Sequence, residues 1–255
     1  MHFFRKVSKF FAAPVVALGL VMSAPAANAG VIQLGFILDR SGSIGSGAWG
    51  TITSGLSNAI NTLVPTDGSY EISVVSFATS SSINVNHVLI DSVAARSGVA
   101  SAIAGIGYSG GTTNMSAAFS SMTTALTTSA LTIDNTYVNL ATDGQPSEGD
   151  AAATAARNSL ISTASVDNLS IEAIGSGVDA AFLQNSICFP GPCTIAPTFS
   201  FPGNGFYIPV ANATEYAAAI SNKIAVVTQQ VPEPGMALVL GLGIAGIAMR
   251  RRMAA

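Results

Sequence analysis

Basic and histidine side chains are scarce in this chain of 255 residues. Charged residues make up only 9% of it, and its two histidines are His2 and His87. Between residues 30 and 230, four basic residues stand against twelve acidic ones, which gives a net charge of −8. Nucleic-acid binding depends on Lys and Arg side chains that neutralise phosphates. The composition therefore excludes nucleic acid as a partner and suits an extracellular domain that binds cations.

Cysteine is equally rare, with Cys188 and Cys193 in the segment CFPGPC. A structural zinc site needs four ligands, and neither histidine lies near this pair in sequence. In an exported chain, two cysteines that bracket a Pro-Gly-Pro turn predict a small disulfide loop. We expect this disulfide to hold a local loop, with no redox activity.

The first 29 residues have the pattern of a secretory signal peptide. A positively charged segment, 5–9, precedes an apolar run from Phe10 to Met22 and a small-residue cleavage site that ends at Ala29. The apolar run is too short for a membrane anchor, and a proline interrupts it. The mature chain is therefore predicted to begin at Gly30.

The last 25 residues, 231–255, contain three elements in order: Pro232-Glu233-Pro234, an apolar run, and an arginine cluster. The apolar run is of marginal length for spanning a bilayer, and the arginines are of the kind that stop translocation on the cytoplasmic side. The segment closely resembles the PEP-CTERM sorting signal of exported Gram-negative proteins. That resemblance implies a transient inner-membrane association through the C-terminal helix and removal of the tail by an exosortase. It also implies a destination in the cell envelope, at the cell surface or in the extracellular matrix.

Strand-like and helix-like runs alternate between these two ends. Continuous or alternating apolar runs predict strands at 31–38, 71–79, 82–90, 136–144, 169–177 and 206–210. Apolar residues at helical spacing predict helices at 46–64, 93–106, 115–128, 151–163, 179–187 and 213–230. The alternation predicts one α/β domain, residues 30–230, with a doubly wound, mostly parallel sheet, one antiparallel edge strand and helices on both faces. Ligands of such sheets bind outside the carboxyl ends of the strands.

Two short motifs suggest chemistries that their surroundings do not support. The segment GSGAWG matches a dinucleotide-binding fingerprint, but it begins seven residues after Leu38 ends the strand, and the next strand does not end in an acidic residue. The segment GYSGG matches a nucleophile elbow at Ser109. That elbow needs a preceding strand and a later histidine, whereas the run before Ser109 looks helical and His87 precedes it.

A third set of residues fits a metal site. Asp39, Ser41 and Ser43 form D-x-S-x-S at the end of the first strand, Thr113 lies in a glycine-rich loop, and Asp143 ends another buried strand. Because the strands end at one edge of the sheet, these two carboxylates and three hydroxyls can converge. A hard cation such as Mg²⁺ prefers oxygen ligands and usually keeps several waters. The sequence therefore predicts a cation site that can accept one more anionic oxygen from a ligand.

These residues resemble the metal-ion-dependent adhesion site (MIDAS) of von Willebrand factor type A (VWA) domains, and the resemblance covers residues 30–230. It implies a Rossmann-like fold and a divalent cation, most simply Mg²⁺, with Mn²⁺ or Ca²⁺ as alternatives. The function that it implies is adhesion to an acidic protein or exopolysaccharide, without enzymatic activity. A structural matrix protein with a metal-stiffened site and a metal-dependent hydrolase are the alternatives. Thr112 is an alternative to Thr113 as the threonine ligand, and the helix pattern of the family favours Thr113.

Two features depart from the family pattern. Arg40 lies inside D-x-S-x-S and is expected to face solvent, with contact to an acidic ligand as the alternative. The segment 185–205 is longer than a typical connection of about 4–6 residues and contains Phe189, Phe199 and Phe201 among turns. These aromatic residues favour a ligand-specificity surface over packing alone.

Overall fold

The computed structural model describes residues 30–195 and 201–229. The predicted signal peptide and sorting signal lie outside these residues, as does Phe199. In the described part, the strands are β1 (Val31–Asp39), β2 (Tyr70–Phe77), β3 (Ser81–Leu89), β4 (Ile133–Thr142), β5 (Asn168–Ile174), β6 (Thr194–Ile195) and β7 (Phe206–Val210). The helices are α1 (Gly45–Leu63), α2 (Val93–Ala104), α3 (Met115–Thr127), α4 (Asp150–Thr163), α5 (Ala180–Phe182), which continues into a π-helical turn (Leu183–Ile187), and α6 (Ala213–Gln229).

The described strands form one sheet in the order β3-β2-β1-β4-β5-β7-β6. The pair β2–β3 is antiparallel and every other pair is parallel. Strands β1, β2 and β5 are buried along nearly their whole length because helices cover both faces of the sheet. The predicted doubly wound sheet with an antiparallel edge strand is confirmed. Strand order reverses between β1 and β4, so their carboxyl ends define the expected site.

The apolar core divides into one layer on each face of the sheet. One layer includes Trp49 of α1, Ile103 of α2 and Ile220 of α6. The other includes Phe119 of α3 and Leu160 of α4. The two layers arise because successive side chains of a strand point to opposite faces. They fix the strands from both sides, and with them the loops that leave the carboxyl ends.

The long segment 185–205 lies away from those loops. Leu169, at the start of β5, pairs with Phe189, and the Asn168 side chain donates hydrogen bonds to the carbonyls of Pro202 and Asn204. The described part of the segment therefore lies at the amino ends of the strands. These residues therefore do not contribute a surface next to the candidate metal site, and the expected ligand-specificity role of the segment stays a prediction.

The described aromatic residues of this segment serve packing instead. Phe201 is buried and its ring lies edge-on to Tyr137, with ring centroids 4.7 Å apart. Arg157 of α4 donates to the carbonyl of Cys188 and lies 5.2 Å from the centre of the Phe189 ring. The predicted disulfide between Cys188 and Cys193 is present.

Candidate metal site

The centre of the site is Asp39, the last residue of β1. Its side chain is buried, with 1% exposure, and each carboxylate oxygen accepts one hydrogen bond. The backbone N–H of Ser41 donates to Oδ1 at 2.8 Å, and the hydroxyl of Thr142 donates to Oδ2 at 2.7 Å. These bonds fix the carboxylate at the point where the chain turns out of the sheet.

The two serines connect Asp39 to Asp143. Ser41 is buried, and its Oγ lies 3.1 Å from the Oγ of Ser43. Ser43 is exposed and donates to Asp143 Oδ1 at 2.7 Å. A continuous row of oxygen atoms therefore joins the loop after β1 to the loop after β4.

Thr113 enters the same space from the loop before α3. Its carbonyl accepts hydrogen bonds from the backbone N–H and the hydroxyl of Ser147, which holds it against the loop after β4. A Cβ built on Gly144 would lie 3.0 Å from Thr113 Oγ1 and 3.7 Å from Ser43 Oγ. The two hydroxyls therefore flank Gly144, next to Asp143. Any side chain at position 144 would crowd them.

The competing residue, Thr112, is oriented elsewhere. Its hydroxyl and its backbone N–H both contact Thr79 Oγ1, at 3.2 and 3.0 Å. Thr113 is buried, with 8% exposure of the residue, and its hydroxyl has no hydrogen-bond partner among the described residues. The geometry favours Thr113 over Thr112 as the residue that faces the site.

Among the residues that the structure describes, the two carboxylates at this edge have no basic partner. The salt bridges of the described residues are His87–Glu71 and Lys223–Glu172, and neither involves the site. Burial raises the pKa of Asp39 to about 6, against hydrogen bonds from Ser41 and Thr142, and the nearby charge of Asp143 adds to the rise. Burial also raises the pKa of Asp143, which the hydrogen bond from Ser43 opposes.

This donor set fits a hard divalent cation. Carboxylate and hydroxyl oxygens are its usual ligands, and two carboxylates match its charge. Softer metals such as Zn²⁺ and Cu²⁺ prefer His and Cys ligands, whereas Mn²⁺ shares the oxygen preference of Mg²⁺. Within residues 30–195 and 201–229, no group of three or more His, Cys, Asp or Glu could hold a metal ion. All five predicted residues come together here, and their role as ligands stays a prediction.

Sequence reasoning missed Thr142 and misplaced Arg40. Thr142 is adjacent to Asp143 in sequence, but its contact with Asp39 depends on the β1–β4 register, in which Leu38 pairs with Ala141. Arg40 is half-buried and donates to the carbonyl of Gly107 at 3.1 Å, so it does not simply face solvent.

The fold and the polar edge together define a Rossmann-like α/β domain with an oxygen-lined site at its strand-order switch. The chain belongs to the von Willebrand factor type A domain family, whose sequence profile matches residues 33–195. The profile of the PEP-CTERM protein-sorting motif matches residues 230–252. Both resemblances expected from the sequence are confirmed. No curated protein is similar enough in sequence to this chain to count as a match.

Several solved structures share the fold at low sequence identity. A structure of proximal thread matrix protein 1 from the mussel byssus, with a zinc-occupied MIDAS motif, has a TM-score of 0.58 and 17% identity over 78% of this chain and 46% of its own. The pilus adhesin SpaC from Lactobacillus rhamnosus GG has a TM-score of 0.61 and 11% identity over 79% of this chain and 31% of its own. Manganese-loaded TRAP protein from Plasmodium vivax has a TM-score of 0.53 and 20% identity over 77% of this chain and 74% of its own. This chain therefore spans less than half of the mussel protein and about a third of the adhesin.

Proposed function

We propose that this protein is an exported binding protein that adheres to an acidic group through a divalent cation. The cation, most simply Mg²⁺, is held by Asp39, Ser41, Ser43, Thr113 and Asp143. The observation that carries the proposal is the convergence of these oxygen atoms, from three loops, around two carboxylates that have no basic partner among the described residues.

The side chains of the site have separable tasks. Thr142 and the Ser41 N–H hold the Asp39 carboxylate in one orientation. Ser41 and Ser43 offer neutral oxygens, so the site adds no charge beyond the two carboxylates. When bound, the cation supplies a positive centre that attracts an anionic oxygen of a partner. The domain itself carries a net charge of −8 between residues 30 and 230, so an acidic partner is repelled unless a cation intervenes.

Binding is favoured over hydrolysis by the position of the histidine. His87 lies on β3 with its Nδ1 4.0 Å from Glu71 Oε1. Glu71 is at the start of β2, at the amino ends of the strands, whereas Asp39 is at the carboxyl ends. Hydrolysis at the site would lack this residue as a general base. The hydroxyl of Ser109 donates to the carbonyl of Gly110, which gives it no activating partner there.

The sorting motif sets the cellular context of the proposal. We assign residues 1–29 to a signal peptide, 30–230 to the VWA domain and 231–255 to the PEP-CTERM signal, with Pro232-Glu233-Pro234 as its motif. The protein then reaches the envelope, surface or matrix of a Gram-negative bacterium and stays attached to the inner membrane until an exosortase cuts the tail. Within residues 30–195 and 201–229, no helix is both long and apolar enough to cross a bilayer.

A matched pair of threonine variants tests the binding site. Mn²⁺ titrated into Thr113→Ala by calorimetry should bind at least about tenfold more weakly than to wild type, because a charge-assisted oxygen contact is lost. Thr112→Ala, whose hydroxyl faces Thr79, should bind Mn²⁺ like wild type. Equal effects of the two substitutions would contradict the ligand set.

The double variant Ser41→Ala/Ser43→Ala separates recognition from the structural alternative. The double variant and wild type are each tested for retention of envelope material with Mg²⁺ and with chelator, and for thermal stability. Loss of retention at unchanged metal-free stability supports recognition. Unchanged retention with a smaller Mg²⁺-dependent stabilisation would assign the cation a structural role, and turnover of an ester or glycan would assign hydrolysis.

A further inference from the structure

The loop before Thr113 carries an exposed aromatic side chain beside the site. Tyr108 is 36% exposed, and its hydroxyl lies 3.4 Å from the carbonyl oxygen of Gly42, to which it donates. Gly42 lies between Ser41 and Ser43 in the chain. The phenol ring is therefore anchored one residue from two of the proposed cation ligands.

The Tyr108 loop is fixed to the loop after β1 before any ligand arrives. The Arg40 guanidinium donates to the carbonyl of Gly107, and the Arg40 carbonyl accepts from the Gly110 N–H at 3.1 Å. The Gly42 N–H donates to the carbonyl of Gly111 at 2.9 Å. Gly111 has a φ of +99°, and a Cβ there would lie 2.5 Å from Thr79 Oγ1, so this path of the loop requires glycine. Preorganisation of this kind lowers the entropy cost of binding.

The surface around the site is rich in hydroxyl and amide groups and poor in apolar ones. Of the other exposed large hydrophobic side chains in the described part, Val93, Leu131 and Ile195 lie near the amino ends of the sheet. Ile83 lies on the outer strand β3, opposite Val75 and next to Ser82, whose hydroxyl is 3.4 Å from the Arg40 guanidinium, so it is a single apolar side chain at the margin of this surface. Exposed polar side chains on the loops at the carboxyl ends include Ser109, Thr112, Gln145, Ser147 and Ser176. A protein interface normally has a cluster of buried apolar and aromatic anchors at its centre, and this surface does not offer one.

We infer that the acidic partner is a polysaccharide that contains uronic acid, with Tyr108 as the platform for its sugar ring. A uronic acid joins a carboxylate to a pyranose ring, whose faces carry C–H groups and whose edges carry hydroxyls. The carboxylate meets the cation, a ring face packs on Tyr108, and the ring hydroxyls meet the polar side chains of the loops. This inference rests on the proposed cation site and adds the chemical class of the partner.

The test compares three probes at a Mn²⁺ concentration that saturates each protein variant. Oligogalacturonate, dextran oligomers and oligoglutamate represent an acidic glycan, a neutral glycan and an acidic peptide. Calorimetry should show binding of oligogalacturonate that chelator abolishes, and weaker binding of the other two probes. Tyr108→Ala should weaken oligogalacturonate binding about tenfold, and Tyr108→Phe, which keeps the ring, about twofold or less. Leu131→Ala, an exposed apolar change far from the site, is the matched control and should bind like wild type.

The outcomes separate this inference from the proposed function. If the protein binds Mn²⁺ but binds oligoglutamate as tightly as oligogalacturonate, the glycan inference is overturned and the cation site is left intact. The same holds if Tyr108→Ala binds oligogalacturonate as tightly as wild type. Mn²⁺ binding with no affinity for oligogalacturonate also overturns it. Failure of the wild-type protein to bind Mn²⁺ overturns the proposed function itself.

Discussion

Acidic side chains in the core of the sheet and at its carboxyl edge are compensated in different ways. Glu172 on β5 is fully buried, and its Oε1 lies 3.6 Å from Lys223 Nζ on α6. Lys223 also donates to Asn139 Oδ1 on β4. Asp39 and Asp143 at the carboxyl ends have hydroxyl neighbours but no basic partner among the described residues.

The difference distinguishes a structural contact from a binding site. Burial raises the pKa of Glu172, and the charge of Lys223 opposes that rise. Burial raises the pKa of Asp39 as well, but there the opposing groups are neutral hydrogen-bond donors. The core charge is compensated inside the chain, whereas the edge charge has no such partner among the described residues and, in the proposed function, is compensated by the cation. A buried acid that its own chain leaves unpaired is therefore a sign of function.

The core pair gives the largest expected effect. Lys223→Met leaves Glu172 buried without its counter-charge, and we expect the free energy of unfolding in urea to fall by about 3–5 kcal/mol. The double variant Glu172→Leu/Lys223→Met should regain most of that loss, because no buried charge remains. A single variant as stable as wild type would show that this pair does not hold α6 to the sheet.

Removing the charge of Asp39 at the carboxyl edge should raise the stability of the metal-free protein, whereas removing the charge of Lys223 in the core should lower it. Asp39→Asn removes a charge whose pKa is raised from 3.8 to about 6, so at pH 7 the metal-free variant should be more stable than wild type by up to about 3 kcal/mol. The same substitution should remove the increase in melting temperature that Mn²⁺ gives the wild-type protein. Calorimetric scans with and without Mn²⁺ measure both effects. A metal-free variant clearly less stable than wild type would contradict the comparison.

The pH dependence follows from the same raised pKa. Because the pKa of Asp39 in the folded protein, about 6, exceeds its ordinary value of 3.8, the metal-free fold gains stability from Asp39 as pH falls through 6, and this contribution is complete below the unfolded pKa. Mn²⁺ competes with that proton, so its stabilising effect should decrease as pH falls from about 7.5 to about 5. Thermal shifts across this range test the prediction, with Asp39→Asn as a flat control. A Mn²⁺ effect that grows toward pH 5 would contradict it.

The smallest expected effect concerns the orientation of Asp39. Thr142→Val removes the 2.7 Å hydrogen bond to Asp39 Oδ2 and should weaken Mn²⁺ binding about fivefold, which is the value of one net hydrogen bond. Thr136→Val is the matched control, because Thr136 lies on the same strand and donates to Gln33 Oε1 near the amino end. Its Mn²⁺ affinity should equal that of wild type. Equal losses in the two variants would mean that Thr142 acts through general stability.

The fold and the convergence of the five candidate residues were predictable because their signals are local. Strand and helix periods are visible along the chain, and D-x-S-x-S, Thr113 and Asp143 each follow a predicted strand or precede a predicted helix. Parallel strands have their carboxyl ends at one edge of the sheet, so residues that follow different strands in the sequence lie close together in space.

What the sequence did not reveal depends on register and on the path of loops. Thr142 meets Asp39 only because of the pairing between β1 and β4. The segment 185–205 runs to the amino ends of the strands, and its two-residue strand β6 pairs with β7 within a Pro/Gly-rich region that hides any strand period. The predicted helix 179–187 is α-helical only at α5 (Ala180–Phe182) and then widens into a π-helical turn. The last hydrogen bond of that turn runs from the Cys188 N–H to the Leu183 carbonyl.

The most direct measurement is anomalous diffraction at the manganese absorption edge from crystals saturated with Mn²⁺. The account predicts one strong peak at the carboxyl ends of β1 and β4, within coordination distance of the hydroxyls of Ser41, Ser43 and Thr113. A peak elsewhere with none at this position, or no peak at all, would contradict the account.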